Sequence, residues 1–131
     1  MNPNETAHLL PRGGPPVGLR AKLRGGATLT IALFLFGCGA SLSGAKSDFK
    51  SGRVAEAKDA LVVLEPDAKS WTGAKHAEYI LYRGLVHHSL GDRDEATHWL
   101  RQAKALEQAK PGTYSEDDRT RLELALDAVG P

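Results

Sequence analysis

Cysteine occurs once in this 131-residue chain, so no disulfide can close within it and no multi-cysteine metal site can form. Aromatic residues are scarce: two tryptophans, three tyrosines and three phenylalanines. Neither charge sign dominates, since 17 basic and 16 acidic residues leave a net charge of +1. A nucleic-acid-binding domain would carry a basic surplus, so no nucleic-acid partner is expected. No uncharged apolar run reaches the roughly 20 residues that span a bilayer as a helix. No segment alternates apolar and polar residues as a half-buried strand does, and Val62-Val63 is too short to matter beside its helical neighbours. Nucleophile motifs and phosphate-cradling glycine loops are also missing. The absences point to an all-α protein that is not an enzyme.

The charge that is present is unevenly spread. Residues 1–37 hold Arg12, Arg20, Lys22 and Arg24 against Glu5, whereas the remainder carries thirteen basic and fifteen acidic residues. Arg20, Lys22 and Arg24 precede an uncharged, mostly apolar run at 27–36, followed by Gly37 and Cys38. That is the layout of a secretory signal: cations that stay behind, a short apolar segment that enters the bilayer, and a small residue at the cut. A retained membrane anchor is the alternative, disfavoured by the length of the run. The stretch 1–16 is long and Pro/Gly-rich for such a leader, which puts the expected start of translation near Val17.

Leu35, Phe36, Gly37 and Cys38 resemble the lipobox of bacterial lipoproteins, with Phe36 bulkier than the residue usual at its position. The resemblance implies cleavage between Gly37 and Cys38 and a diacylglycerol thioether on Cys38. No other cofactor is expected. Gly39 after the cysteine, rather than an acid, resembles the pattern of outer-membrane sorting. Residues 1–37 are thus expected to be a signal peptide, 38–44 a lipidated tether rich in glycine and serine, and 45–131 the folded domain.

Within that domain the apolar residues recur at three- and four-residue spacing, the period of one helix face. Val54, Ala57, Leu61 and Leu64 form a first face, with Pro66 expected to end the helix. Ala77, Ile80, Leu81, Gly84, Leu85 and His88 form a second, ending near Gly91. Ala96, Trp99, Leu100, Ala103 and Leu106 form a third before Pro111-Gly112. Ser115 is an expected N-cap for a last helix carrying Leu122, Ala125, Leu126 and Val129. The acidic run Glu116-Asp117-Asp118 lacks the alternating oxygen ligands and glycine of a calcium loop and suits a helix N-terminus instead.

The helices also repeat. Gly52, Ala57 and Leu61 recur 39 residues later as Gly91, Ala96 and Leu100, which suggests stacked helical units. Residues 77–110, with Gly84, Gly91, Ala96, Leu100 and Ala103 in place, resemble a tetratricopeptide repeat. Ile80, Arg83 and His87 stand where that family places tryptophan, leucine and tyrosine. The resemblance implies a short stack of antiparallel helical hairpins, with residues 45–66 as an earlier, truncated copy and the last helix as a cap.

Four histidines fall in this part. His87 and His88 point about 100° apart on a helix, and His76 and His87 stand roughly 16 Å apart, so no metal site is expected. Trp99 fits a core position, whereas Trp71, in a connection, is a candidate partner-binding residue together with Tyr79, Tyr82 and Arg83, since aromatics and arginine anchor interfaces. So small a repeat array needs neighbours to cover its faces. The expectation is therefore a lipid-anchored adaptor for other envelope proteins, with self-association, a subunit role in a larger complex, or cell-wall or small-ligand binding as alternatives.

Overall fold

The computed structural model describes residues 39–131. The leader with Val17, and the motif of Leu35, Phe36, Gly37 and Cys38, lie outside the described residues. Among the described residues five helices follow one another: α1 (Leu42–Lys50), α2 (Val54–Ala68), α3 (Gly73–Ser89), α4 (Arg93–Ala109) and α5 (Glu116–Val129). No strand occurs among the described residues.

The first and last helices start on a serine cap. Ser41 Oγ accepts the Gly44 N–H at 3.0 Å, and Leu42 and Ala45 are buried. Residues 42–44, expected to be tether, therefore form the first turn of α1. Ser115 caps α5 as expected, its Oγ accepting the Asp118 N–H at 3.2 Å, with Glu116, Asp117 and Asp118 filling the first turn. Pro66 does not end its helix. It lies inside α2, which runs on to Ala68. Lacking an N–H, proline leaves the carbonyl four residues earlier without its helical partner; here that carbonyl belongs to Val62, on the exposed side of the helix, where water can replace the bond. Burial of Ala68 on the opposite side favours the extra turn.

The first two helix pairs close through the same turn. Gly52 and Gly91 adopt φ of 82° and 79°, a left-handed conformation that glycine reaches without a Cβ penalty. The Arg53 N–H donates to Asp48 O at 2.8 Å, and the Asp92 N–H to His87 O at 3.0 Å, the six-to-one bond of a glycine-ended helix. A side-chain pair bridges each turn at the same positions, Arg53 to Asp48 and Asp92 to His87. The 39-residue spacing continues inside, where Ala57, Ala96 and Leu100 are fully buried and Leu61 nearly so.

α3 is the centre of the domain, touching α1, α2, α4 and α5. Its apolar face is buried as expected at Ala77, Ile80, Leu81, Gly84 and Leu85, but every residue from Tyr79 to His87 is buried. A helix packed on several sides has no solvent face, so polar groups opposite its apolar stripe must find partners inside. His87 is accordingly buried while His88 is only half-buried, the reverse of the expected face. Gly84 marks the tightest approach: a Cβ there would lie 2.8 Å from the Leu100 side chain and 3.0 Å from its backbone nitrogen.

Candidate functional site

Lys75, Tyr79 and Arg83 are spaced four apart along α3 and share one of its faces. Trp71 reaches them from the connection after α2, where its N–H donates to Ala68 O at 3.1 Å. Its ring meets Tyr79 edge-on with centroids 5.8 Å apart, and the Lys75 ammonium sits 3.9 Å above it. Trp99 reaches in from α4, edge-on to Tyr79 at 6.2 Å and beneath the Arg83 guanidinium at 4.9 Å. The result is a row of three rings with a cation at each end: Lys75, Trp71, Tyr79, Trp99, Arg83. Edge-to-face ring pairs contribute about 0.5–1.5 kcal/mol each beyond area burial, so the series is stiff as well as large.

Polar bonds fix its centre. Arg83 Nη1 donates to the Tyr79 hydroxyl at 3.2 Å and to Glu65 at 3.3 Å, and Tyr79 donates onward to Leu61 O at 3.3 Å. Arg83 is 9% exposed, and its Nε has no partner. Trp99 Nε1 donates to Glu95 at 3.1 Å. Burial pushes the Tyr79 phenol up, against the lowering effect of Arg83, so the ring bears a neutral hydroxyl donor at neutral pH.

Of the four residues expected to face a partner, Trp71 is half-buried, whereas Tyr79, Tyr82 and Arg83 are buried. They do not form an open patch, because α3 is covered by its neighbours. Trp71, Tyr79 and Arg83 lie against one another. Tyr82 points elsewhere: its ring meets Phe49 edge-on at 5.6 Å, and its hydroxyl donates to Asp118 at 2.8 Å. Sequence reasoning placed Trp99 in a core, yet it is half-buried and completes the series. The four-residue spacing of Lys75, Tyr79 and Arg83 was the available signal. No local pattern pointed to Asp118, buried as the acceptor for Tyr82.

On another side, Phe49, Leu85, His88, Arg121, Leu124 and Ala125 line a shallow depression of about 210 Å³ between α1, α3 and α5. Leu124 there is 65% exposed. A deeper cavity of about 290 Å³ lies between the start of α3 and the connection after α4, lined by His76, Ala77, Leu106, Lys110 and Thr113 among others. Both fall below the usual size of a small-molecule site, about 300–1,000 Å³, whereas a larger depression of about 540 Å³ along Asp94, Thr97, His98, Arg101, Gln102 and Ala105 of α4 is open to solvent. The histidines are dispersed: His87 Nδ1 lies 3.2 Å from Asp92, and His98 Nε2 lies 2.7 Å from Gln102. Among the described residues no cluster of three or more His, Cys, Asp or Glu side chains is placed to hold a metal ion. No helix among them is long and apolar enough to cross a membrane.

The repeat residues fall together. Gly84 and Leu100 touch, Ala96 and Ala103 are buried beside them on α4, and Ala57 and Leu61 occupy the matching places on α2. Compared with protein-family models, curated proteins and solved structures, the chain matches none.

Proposed function

We propose that the chain is a lipid-anchored envelope protein whose helix pairs act as a small tetratricopeptide-like scaffold for another envelope protein. The observation that carries the scaffold in this reading is the 39-residue repeat in the packing itself. The same glycine turn, bridging side-chain pair, alanine and leucine recur in two successive helix pairs. Such a framework holds side chains rigidly on its outer faces, as peptide-binding helical arrays do. The half-buried Trp71 and Trp99, backed by Tyr79 and Arg83, supply the aromatic and arginine character of interface anchors.

The test has two arms. Intact-mass analysis of the membrane fraction, compared with Cys38→Ala, is expected to show a lipid-bearing mature chain that the substitution abolishes. A photocrosslinking residue at position 71 is expected to capture one discrete envelope protein, and one at exposed Arg101 is not. An unprocessed chain sinks the anchor, and equal labelling from both positions sinks the aromatic face.

A second reading, a subunit of a larger assembly, is favoured by α2. Val62 and Val63 are 48% and 66% exposed, whereas the positions 39 residues on carry Arg101 and Gln102. The repeat does not require two valines there, and a covering neighbour would explain them. Self-association visible by sedimentation and lost in Val63→Asp would support this reading over the first.

A further inference from the structure

Helix α5 is the last element of the domain and packs against α3 and α4. It buries Leu122, Ala125 and Val129, with Leu126 half-buried, in the core it shares with Leu81, Leu85 and Leu100. Most of its other ties are polar. Tyr82 donates to Asp118, Lys104 pairs with Glu123, and the Arg93 Nε donates to Val129 O at 3.0 Å. A buried carboxylate ties the connection from α4 to α5. Glu107, 7% exposed, accepts the Gly112 N–H at 3.0 Å and the Tyr114 N–H at 3.1 Å, and Arg119 of α5 stands 3.8 Å away. Nothing in the repeat asks for an acid there, since the matching residue 39 positions earlier is the buried Ala68.

We propose that α5 is a releasable cap, latched by Glu107, that detaches in acid while α1–α4 stay folded. An ionised carboxylate accepts one N–H on each oxygen; a proton on either oxygen sets an O–H donor against an N–H donor and weakens that bond. The groups facing Glu107 all favour the ionised form. They are the Gly112 and Tyr114 N–H groups first, with Arg119 also contributing, and together they hold its carboxyl below the usual range against the opposing effect of burial. Tyr114 and Asp118 are the other titratable groups nearby, and the Tyr114 phenol is raised by burial and then by the charges of Glu107 and Asp118. From α3, Ala77 offers its carbonyl to the Tyr114 hydroxyl at 3.0 Å, and His76 lines the adjoining cavity. Because the folded value is depressed, the latch holds fully above the free-carboxyl value and is lost as pH falls through the folded one.

The experiment is hydrogen exchange on the full-length chain from pH 7 to pH 3.5, read as protection factors so that intrinsic exchange divides out. Residues 116–129 are expected to be at least tenfold less protected than α3 and α4 at pH 7. Their protection should fall further below about pH 4.5, the region where a free glutamate titrates, ahead of any loss in α3 and α4. Glu107→Gln is expected to lower α5 protection at pH 7 and remove most of its acid dependence. Arg119→Gln, milder and safer for folding, should move both in the same direction by less. One common protection factor for all helices overturns the proposal. So does an acid dependence that survives Glu107→Gln.

Discussion

At Gly84 a hydrogen stands where any other residue would place a carbon against Leu100. Because one contact is to backbone, rotating the leucine does not relieve it. Gly84→Ala is therefore expected to destabilise the domain despite alanine's better helix propensity, by about 1–3 kcal/mol as overpacking does; thermal unfolding followed by circular dichroism checks it. Tyr82→Phe leaves the buried Asp118 without the hydroxyl that now bonds it at 2.8 Å, a loss of about 1–3 kcal/mol, measurable as a lower urea midpoint with unchanged slope. These residues differ in how far the sequence revealed them. Gly84 was legible because small residues mark helix crossings in a periodic pattern. Asp118 was not, because its partner lies 36 residues away and an acid in a first turn already has a local explanation.

Helix α3 shows why element boundaries were easier to read than surroundings. Its span, and those of α4 and α5, follow from apolar periodicity and capping residues, all of which are local. Which faces get covered depends on the number of neighbours. With four helices around it, α3 buries Tyr79, Tyr82, Arg83 and His87 together with its apolar stripe, and three of four suspected surface residues go inside. Pro66 was misread for a related reason, since a burial benefit one turn later outweighs an exposed missing bond. The paired turns yield a prediction at this scale. Gly52→Ala and Gly91→Ala both force an L-residue into left-handed φ, at about 1–2 kcal/mol each. The two losses, measured by denaturant unfolding, are expected to agree to within about 0.5 kcal/mol, the usual accuracy of comparing independent sites. A much larger loss at one turn would mean that the two helix pairs are not equivalent.

Taken whole, the domain buries all three of its tyrosines. Burial raises each phenol, helped at Tyr82 by the bond to Asp118 and at Tyr114 by the charges of Glu107 and Asp118. Above about pH 10, where an unfolded tyrosine ionises, the unfolded chain sheds protons that the folded one keeps. Stability must then fall as pH rises. Absorbance at 295 nm is expected to show one cooperative alkaline transition, coincident with loss of helix, in place of three independent titrations. An early phenol titrating with the helices intact would contradict the burial of its ring. The all-helical class was readable from periodicity alone. The series from Lys75 to Arg83 was only half readable, because Trp71 and Trp99 join it from different elements.

The turns at Gly52 and Gly91 have a kinetic consequence. Each joins consecutive helices through three residues, so the partners are already close along the chain, and little loop entropy opposes their meeting. Proteins dominated by such short-range contacts fold in microseconds to milliseconds, whereas synthesis adds only about 5–20 residues per second. The first pair can therefore form and dissolve many times before α5 has been made, and the last helix docks onto a surface that is already waiting.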